Sequence, residues 1–166
     1  MPRSSRLFID NACYHLRTRG NQKQNVFLNE QDYQKCLEII KRAKSKYNIH
    51  LYAYCLMTNH FHLLIQTFQA RNISKFMQWI NRGYTAYFNA QYKKVGHLWQ
   101  GRFQSSPIVK GQYLVNVATY IENNPVRAGI ANDPVNYKWS SYQERCIFTK
   151  KYLVDPIKLD CSISDG

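Results

Sequence analysis

The chain has 166 residues, 45% of them apolar and 20% charged, which suits one folded domain over 1–166 with a hydrophobic core and excludes a disordered tail. Its apolar runs, such as Tyr52 to Met57 and Phe61 to Ile65, are too short to cross a membrane. Five cysteines without a C-x-x-C pair argue against a disulfide framework or a zinc ribbon and fit reduced thiols in a cytoplasmic protein. The net charge is +13, and between Glu38 and Glu122 lie eleven lysines and arginines and no carboxylate; this calls for a polyanion such as nucleic acid and excludes a carboxylate-clamped two-metal site there.

Cys13 to Arg19 alternates and predicts a strand, with His15, Arg17 and Arg19 on one face and Tyr14, Leu16 and Thr18 on the other. Gly20 and Asn21 end it. Asn29 is the expected N-cap of a helix over 30–47, with Glu30 and Asp32 in its first turn and Lys41, Arg42, Lys44 and Lys46 toward its end, an order that suits the helix dipole. His50 to Met57 and His60 to Thr67 read as two strands joined by a tight turn at Thr58-Asn59. Ser74 is the expected cap of a long helix to about Tyr92, with Phe76, Ile80, Tyr84, Tyr87 and Phe88 at helical spacing. Phe103 to Val109 is a short strand, placed at a sheet edge by Pro107. Gln112 to Asn123 is a third helix, stopped by Pro125, and from about 130 the tail reads as irregular, anchored by Trp139 and Tyr142. The first six elements are those of an α+β fold, a ferredoxin-like split β-α-β antiparallel sheet with helices packed on it; a further helix follows.

The sharpest chemical feature is Asn59-His60-Phe61-His62. Residues two apart on a strand point the same way, so His60 and His62 project together while Phe61, Leu63 and Ile65 turn toward the core. Two such imidazoles make half a metal site, although a bare H-x-H is as well explained by one buried and one solvated histidine. Near the end of the third helix Tyr120 and Asn124 are four apart and share a helical face. A tyrosine, a neutral oxygen ligand and basic surroundings suit phosphodiester chemistry. Tyr120 is equally readable as a core aromatic, and with 13 tyrosines in the chain, spacing does not choose it over Tyr113, Tyr84 or Tyr87.

Five blocks run in order along the chain: Tyr14-His15-Leu16 with Arg19-Gly20-Asn21; Tyr54 through Leu64, containing Thr58-Asn59-His60-Phe61-His62; Gly96-His97-Leu98-Trp99-Gln100-Gly101-Arg102-Phe103; Tyr120 through Gly129, containing Asn123-Asn124-Pro125-Val126-Arg127; and Trp139-Ser140-Ser141-Tyr142. On these blocks the sequence resembles the single-tyrosine HUH transposases, most closely the REP-associated tyrosine transposases. The resemblance implies that His60 and His62 are the metal-binding pair, Tyr120 the nucleophile and Asn124 the polar residue that completes the metal site. It also implies cleavage of single-stranded DNA beside a hairpin with Mg²⁺ or Mn²⁺, through a 5′-phosphotyrosine intermediate. Two imidazoles and an amide would by softness also suit Zn²⁺ or Co²⁺, so the metal comes from the resemblance alone.

Further DNA contacts are expected of His15, Arg17 and Arg19, if the first and third strands are neighbours, and of Arg82 beside Lys75, Lys93 and Lys94 on the long helix. His97, Trp99 and Arg102 form a loop suited to stacking on DNA, with Trp99 as a plain core residue the competing reading. A related nickase, either a replication initiator or a relaxase, and a non-catalytic DNA-binding domain are the alternative functions. The setting expected is cytoplasmic and nucleoid-associated, and the choice between a monomer and a homodimer with shared active sites stays open.

Overall fold

The structure, a computed structural model, describes residues 6–147 and 153–158; Cys161, one of the five cysteines, lies outside them. Asn29 caps α1 (Glu30–Lys46) as expected. Its side chain accepts from the Asp32 amide and Asp32 returns the bond to the Asn29 amide, a capping box. The fully buried Asp32 also accepts from the Tyr87 and Tyr92 hydroxyls, which ties the start of α1 to α2 (Arg71–Tyr92). That second helix begins a turn before Ser74, and Ala70 rather than Ser74 is its cap. The Asp10 carboxylate accepts the Ala70 amide there, a bond between positions 60 apart that local pattern does not reveal.

Four strands form one antiparallel sheet: β1 (Cys13–Arg19), β2 (Ile49–Leu56), β3 (His60–Thr67) and β4 (Gln104–Ile108), in the order β2-β3-β1-β4. This is the ferredoxin-like split sheet. β2 begins and ends one residue earlier than predicted, and β4 is one residue shorter at each end. Pro107 sits on an edge strand, where its missing N–H costs no ladder bond. One sheet face buries Leu16, Leu51, Phe61, Leu63 and Ile65 under α1 and α2. On the other, Cys13, Tyr52, Cys55 and Leu64 pack against Leu114, Ala118 and Ile121 of α3 (Gln112–Glu122). Among the described residues no helix is long and apolar enough to cross a membrane.

The tail is more ordered than its sequence predicts. After α4 (Asn124–Arg127) it makes a 3-10 turn at Pro134–Asn136 and a short helix, α5 (Tyr142–Cys146). Trp139 stacks on Tyr33 with ring centroids 4.7 Å apart, and its carbonyl accepts from the Leu56 amide. Tyr137 donates to the Leu56 carbonyl, and the buried Ser141 hydroxyl accepts the Tyr54 amide. Glu122 is 0% exposed, bound by both Nε and Nη2 of Arg145 and by the Ser141 hydroxyl. Breaking one half of such a pair strands the other charge. Glu122→Met is therefore expected to cost about 3–5 kcal/mol in urea unfolding, and adding Arg145→Met to recover most of it.

Candidate active site

Register builds the site. On the α3 face of the sheet one row crosses all four strands, with Cys55 opposite His62, His62 opposite Arg17 and Arg17 opposite Gln104; His60 pairs with Arg19 in the same way. The expected neighbouring of the first and third strands is met, and His15, Arg17 and Arg19 share the face of His60 and His62. Phe61 points the other way, fully buried and edge-on to Trp99.

Each histidine has its Nδ1 engaged. Asn59 donates its side-chain amide to the Lys23 carbonyl, which leaves Oδ1 to accept from His60 Nδ1 at 2.6 Å. That assigns the His60 proton to Nδ1 and leaves Nε2 with a bare lone pair. His62 Nδ1 lies 2.8 Å from Nε2 of His15, while His62 Nε2 is buried and has no hydrogen-bond partner. His15, expected to contact DNA, has its Nε2 directed at that imidazole. Among the described residues no three His, Cys, Asp or Glu side chains gather into a metal-holding group.

Both histidines are held neutral. Burial first, then the charges of Arg17 and Arg19, push His60 down to about 4. Burial, then His15, His60, Arg17 and Arg127, push His62 down to about 2. The unfolded chain protonates both near 6.5, so their contribution to stability is fully present above that pH and is lost as pH falls toward the folded values. Metal-free protein is expected to lose up to about 1.4 kcal/mol per pH unit per histidine below that point. Denaturant unfolding at several pH values checks this, and His62→Gln should flatten the slope.

The end of α3 departs from prediction. Tyr120 and Asn124 do not share one continuous helix: α3 stops at Glu122, and Asn124 opens α4. Pro125 is the cause. It lacks the N–H that a continuing helix would give to the Ile121 carbonyl, and the Asn124 side-chain amide donates there instead, at 3.0 Å. Asn124 Oδ1 is left without a hydrogen-bond partner among the described residues. Tyr120 is 55% exposed, which excludes the core reading. The Arg127 guanidinium lies 3.8 Å from its ring centroid. Arg127 was absent from the predicted site, although it sits seven residues beyond Tyr120, a separation that returns to nearly the same side of a helix. Asn59 was missed too, despite adjoining His60.

The basic candidates divide between two cavities. Arg82, His97 and Arg102 line one of about 710 Å³ with Asn81 and Thr85. Arg17, Arg19 and Arg102 line a smaller one of about 190 Å³ with Gln100 and Gln104. Trp99 also lines the larger cavity. It is a core residue whose indole donates to the Asn81 carbonyl and whose ring packs between Phe61 and Tyr84.

The backbone is similar to a REP-associated tyrosine transposase solved bound to a REP hairpin, with a TM-score of 0.73 at 16% identity over 95% of this chain and 94% of that one. A Deinococcus radiodurans R1 protein assigned as a transposase gives 0.50 at 18% identity over 73% and 96%. The tRNA(His) guanylyltransferase of Saccharomyces cerevisiae gives 0.51 at 11% identity over 79% and 64%, so this sheet also serves other chemistry. No curated protein matches the sequence. Residues 8–124 match the family described as IS200-like transposase. The chain belongs to that family, one of DNA-processing enzymes.

Proposed function

We propose that this protein cuts and rejoins single-stranded DNA at hairpins in DNA transposition, with Tyr120 as nucleophile and with His60, His62 and Asn124 holding Mg²⁺ or Mn²⁺. The observation that carries the reading is the pair of histidines on the α3 face. Nε2 of His60 is bare because Asn59 engages Nδ1, and Nε2 of His62 is buried without a partner. A buried polar atom left unpaired is costly, and a cation would relieve the cost. A His62 Nδ1–H donating to His15 presents the Nε2 lone pair, so His15 supports the ligand from behind. The free amide oxygen of Asn124 offers a neutral third ligand.

When bound, the metal supplies polarisation of the phosphate oxygens. The chain supplies the rest. The Tyr120 oxygen forms a bond to phosphorus as the bond to the 3′ oxygen breaks; the phenol loses its proton and the departing 3′ hydroxyl ends with one. The 5′ phosphate stays on Tyr120, and attack by another 3′ hydroxyl reverses the step with no nucleotide consumed. The hairpin comes from the REP-hairpin-bound relative, and family membership favours transposition over the nickase and binding-domain alternatives.

The test is incubation with a pool of hairpin oligonucleotides carrying randomised single-stranded flanks, with and without Mn²⁺. A denaturation-resistant adduct on the Tyr120 peptide supports the reading, and an adduct on Tyr113, or none, overturns it. The basic segment adds an expectation about binding. If four phosphates are contacted, affinity for single strands should fall roughly fifty-fold between 50 and 200 mM salt, read from a titration series; affinity indifferent to salt would contradict the basic surface as the DNA track.

A further inference from the structure

Asn124 enters the reading above, but Arg127, three residues on, has no part in it. The geometry points to Arg127 as the residue that positions Tyr120, fixing the exposed phenol ring over the histidine face; the inference rests on Tyr120 being the nucleophile. Tyr120 is more than half exposed, so packing does not hold its ring, and among the described residues its hydroxyl has no hydrogen-bond partner. Arg127 holds it at two points. The guanidinium stacks 3.8 Å from the ring centroid, and Nη2 donates to the carbonyl of Tyr120 itself at 2.8 Å.

This grip follows from how the helix ends. The last carbonyls of α3 lack intrahelical partners, and Pro125 removes the amide that would have continued the ladder. Asn124 serves the Ile121 carbonyl and Arg127 serves that of Tyr120. The turn of α4 is closed by the Arg127 amide donating to the Asn123 carbonyl, and it swings the guanidinium back over the ring. A planar fork can stack and donate at once, which a lysine ammonium cannot do in the same pose. Position agrees with the role. Arg127 is close enough to His62 for its charge to act on that imidazole. A phenol free to swing would rarely stand in line with a phosphate, whereas a clamped one keeps a single direction.

Tyr113 provides an internal reference, since it lies on the same helix with the same 55% exposure. Nitration by tetranitromethane, mapped by peptide mass, should modify Tyr120 faster relative to Tyr113 in Arg127→Ala than in the unaltered protein, because the stacked guanidinium no longer covers one ring face, with Arg127→Lys between. With the hairpin pool and Mn²⁺, single-turnover adduct formation at saturating DNA should fall roughly ten- to a hundredfold in Arg127→Ala, with the Kd for DNA unchanged. If the alanine variant does not fold, Arg127→Lys carries both measurements. An unchanged nitration ratio overturns the clamp, as does a defect confined to Kd, which would make Arg127 a backbone contact. An adduct that survives Tyr120→Phe sinks the proposed function, a failure the nitration result tells apart from failure of the clamp.

Discussion

Tyr120→Phe is expected to abolish the covalent adduct while leaving DNA affinity and unfolding free energy where they were. The substitution removes one oxygen, and among the described residues that oxygen has no hydrogen-bond partner to leave stranded. The ring remains, so the Arg127 guanidinium keeps a face to stack on and its bond to the residue 120 carbonyl is untouched. Stability should therefore change by less than about 0.5 kcal/mol, as for an ordinary surface substitution. The rate is another matter, since no atom in the phenylalanine can take the phosphate. A loss of at least about 10⁴-fold is expected, the scale seen when an essential nucleophile is removed. Tyr113→Phe, equally exposed on the same helix, serves as the control and should cleave normally. An adduct of undiminished yield in Tyr120→Phe would transfer the chemistry to another residue.

How much of this was legible depended on the range of the forces involved. The β1 alternation, the Asn29 cap and the H-x-H pair are local patterns, and each element formed where its pattern placed it. Placing Arg17 and His15 beside His62 required one step beyond locality, that β1 and β3 pair, and the split β-α-β order supplies that step. The start of α2 was hidden because the group serving its first amide, Asp10, is distant in sequence. The tail looked irregular because its order comes from Ser141, Tyr137 and Arg145 pairing with β2 and Glu122 rather than from any period of its own. The break at Pro125 was visible, but its consequence was not. A proline read simply as a stop gives no hint that the two carbonyls behind it will recruit Asn124 and Arg127, and so bind the candidate ligand and the candidate clamp into one helix end.

That helix end sharpens the second large expectation, which concerns the metal. His60→Ala and His62→Ala should each abolish metal-dependent cleavage, because each removes one of the two proposed imidazole ligands. His15→Ala should act through His62. Its loss frees His62 Nδ1 and with it the choice of tautomer, so Mn²⁺ affinity measured by calorimetry should fall about 10–100-fold, the usual cost of losing a partner that orients a ligating histidine. Metal-free DNA affinity should hold, and a drop there instead would return His15 to the role of a DNA contact. Asn124→Ala removes the free amide oxygen and also the Nδ2 bond to the Ile121 carbonyl, so it should weaken Mn²⁺ binding and loosen the helix end that carries Tyr120. A neutral amide suits this place, since a carboxylate would partly cancel the charge the metal offers to the scissile phosphate. Glu122, the nearest carboxylate in sequence, is buried with both oxygens on Arg145 and cannot turn to a metal without breaking that pair. Its replacement should lower stability and leave the Mn²⁺ affinity of the folded protein unchanged. A Mn²⁺-bound structure with Glu122 among the ligands and Asn124 turned away would overturn the assignment.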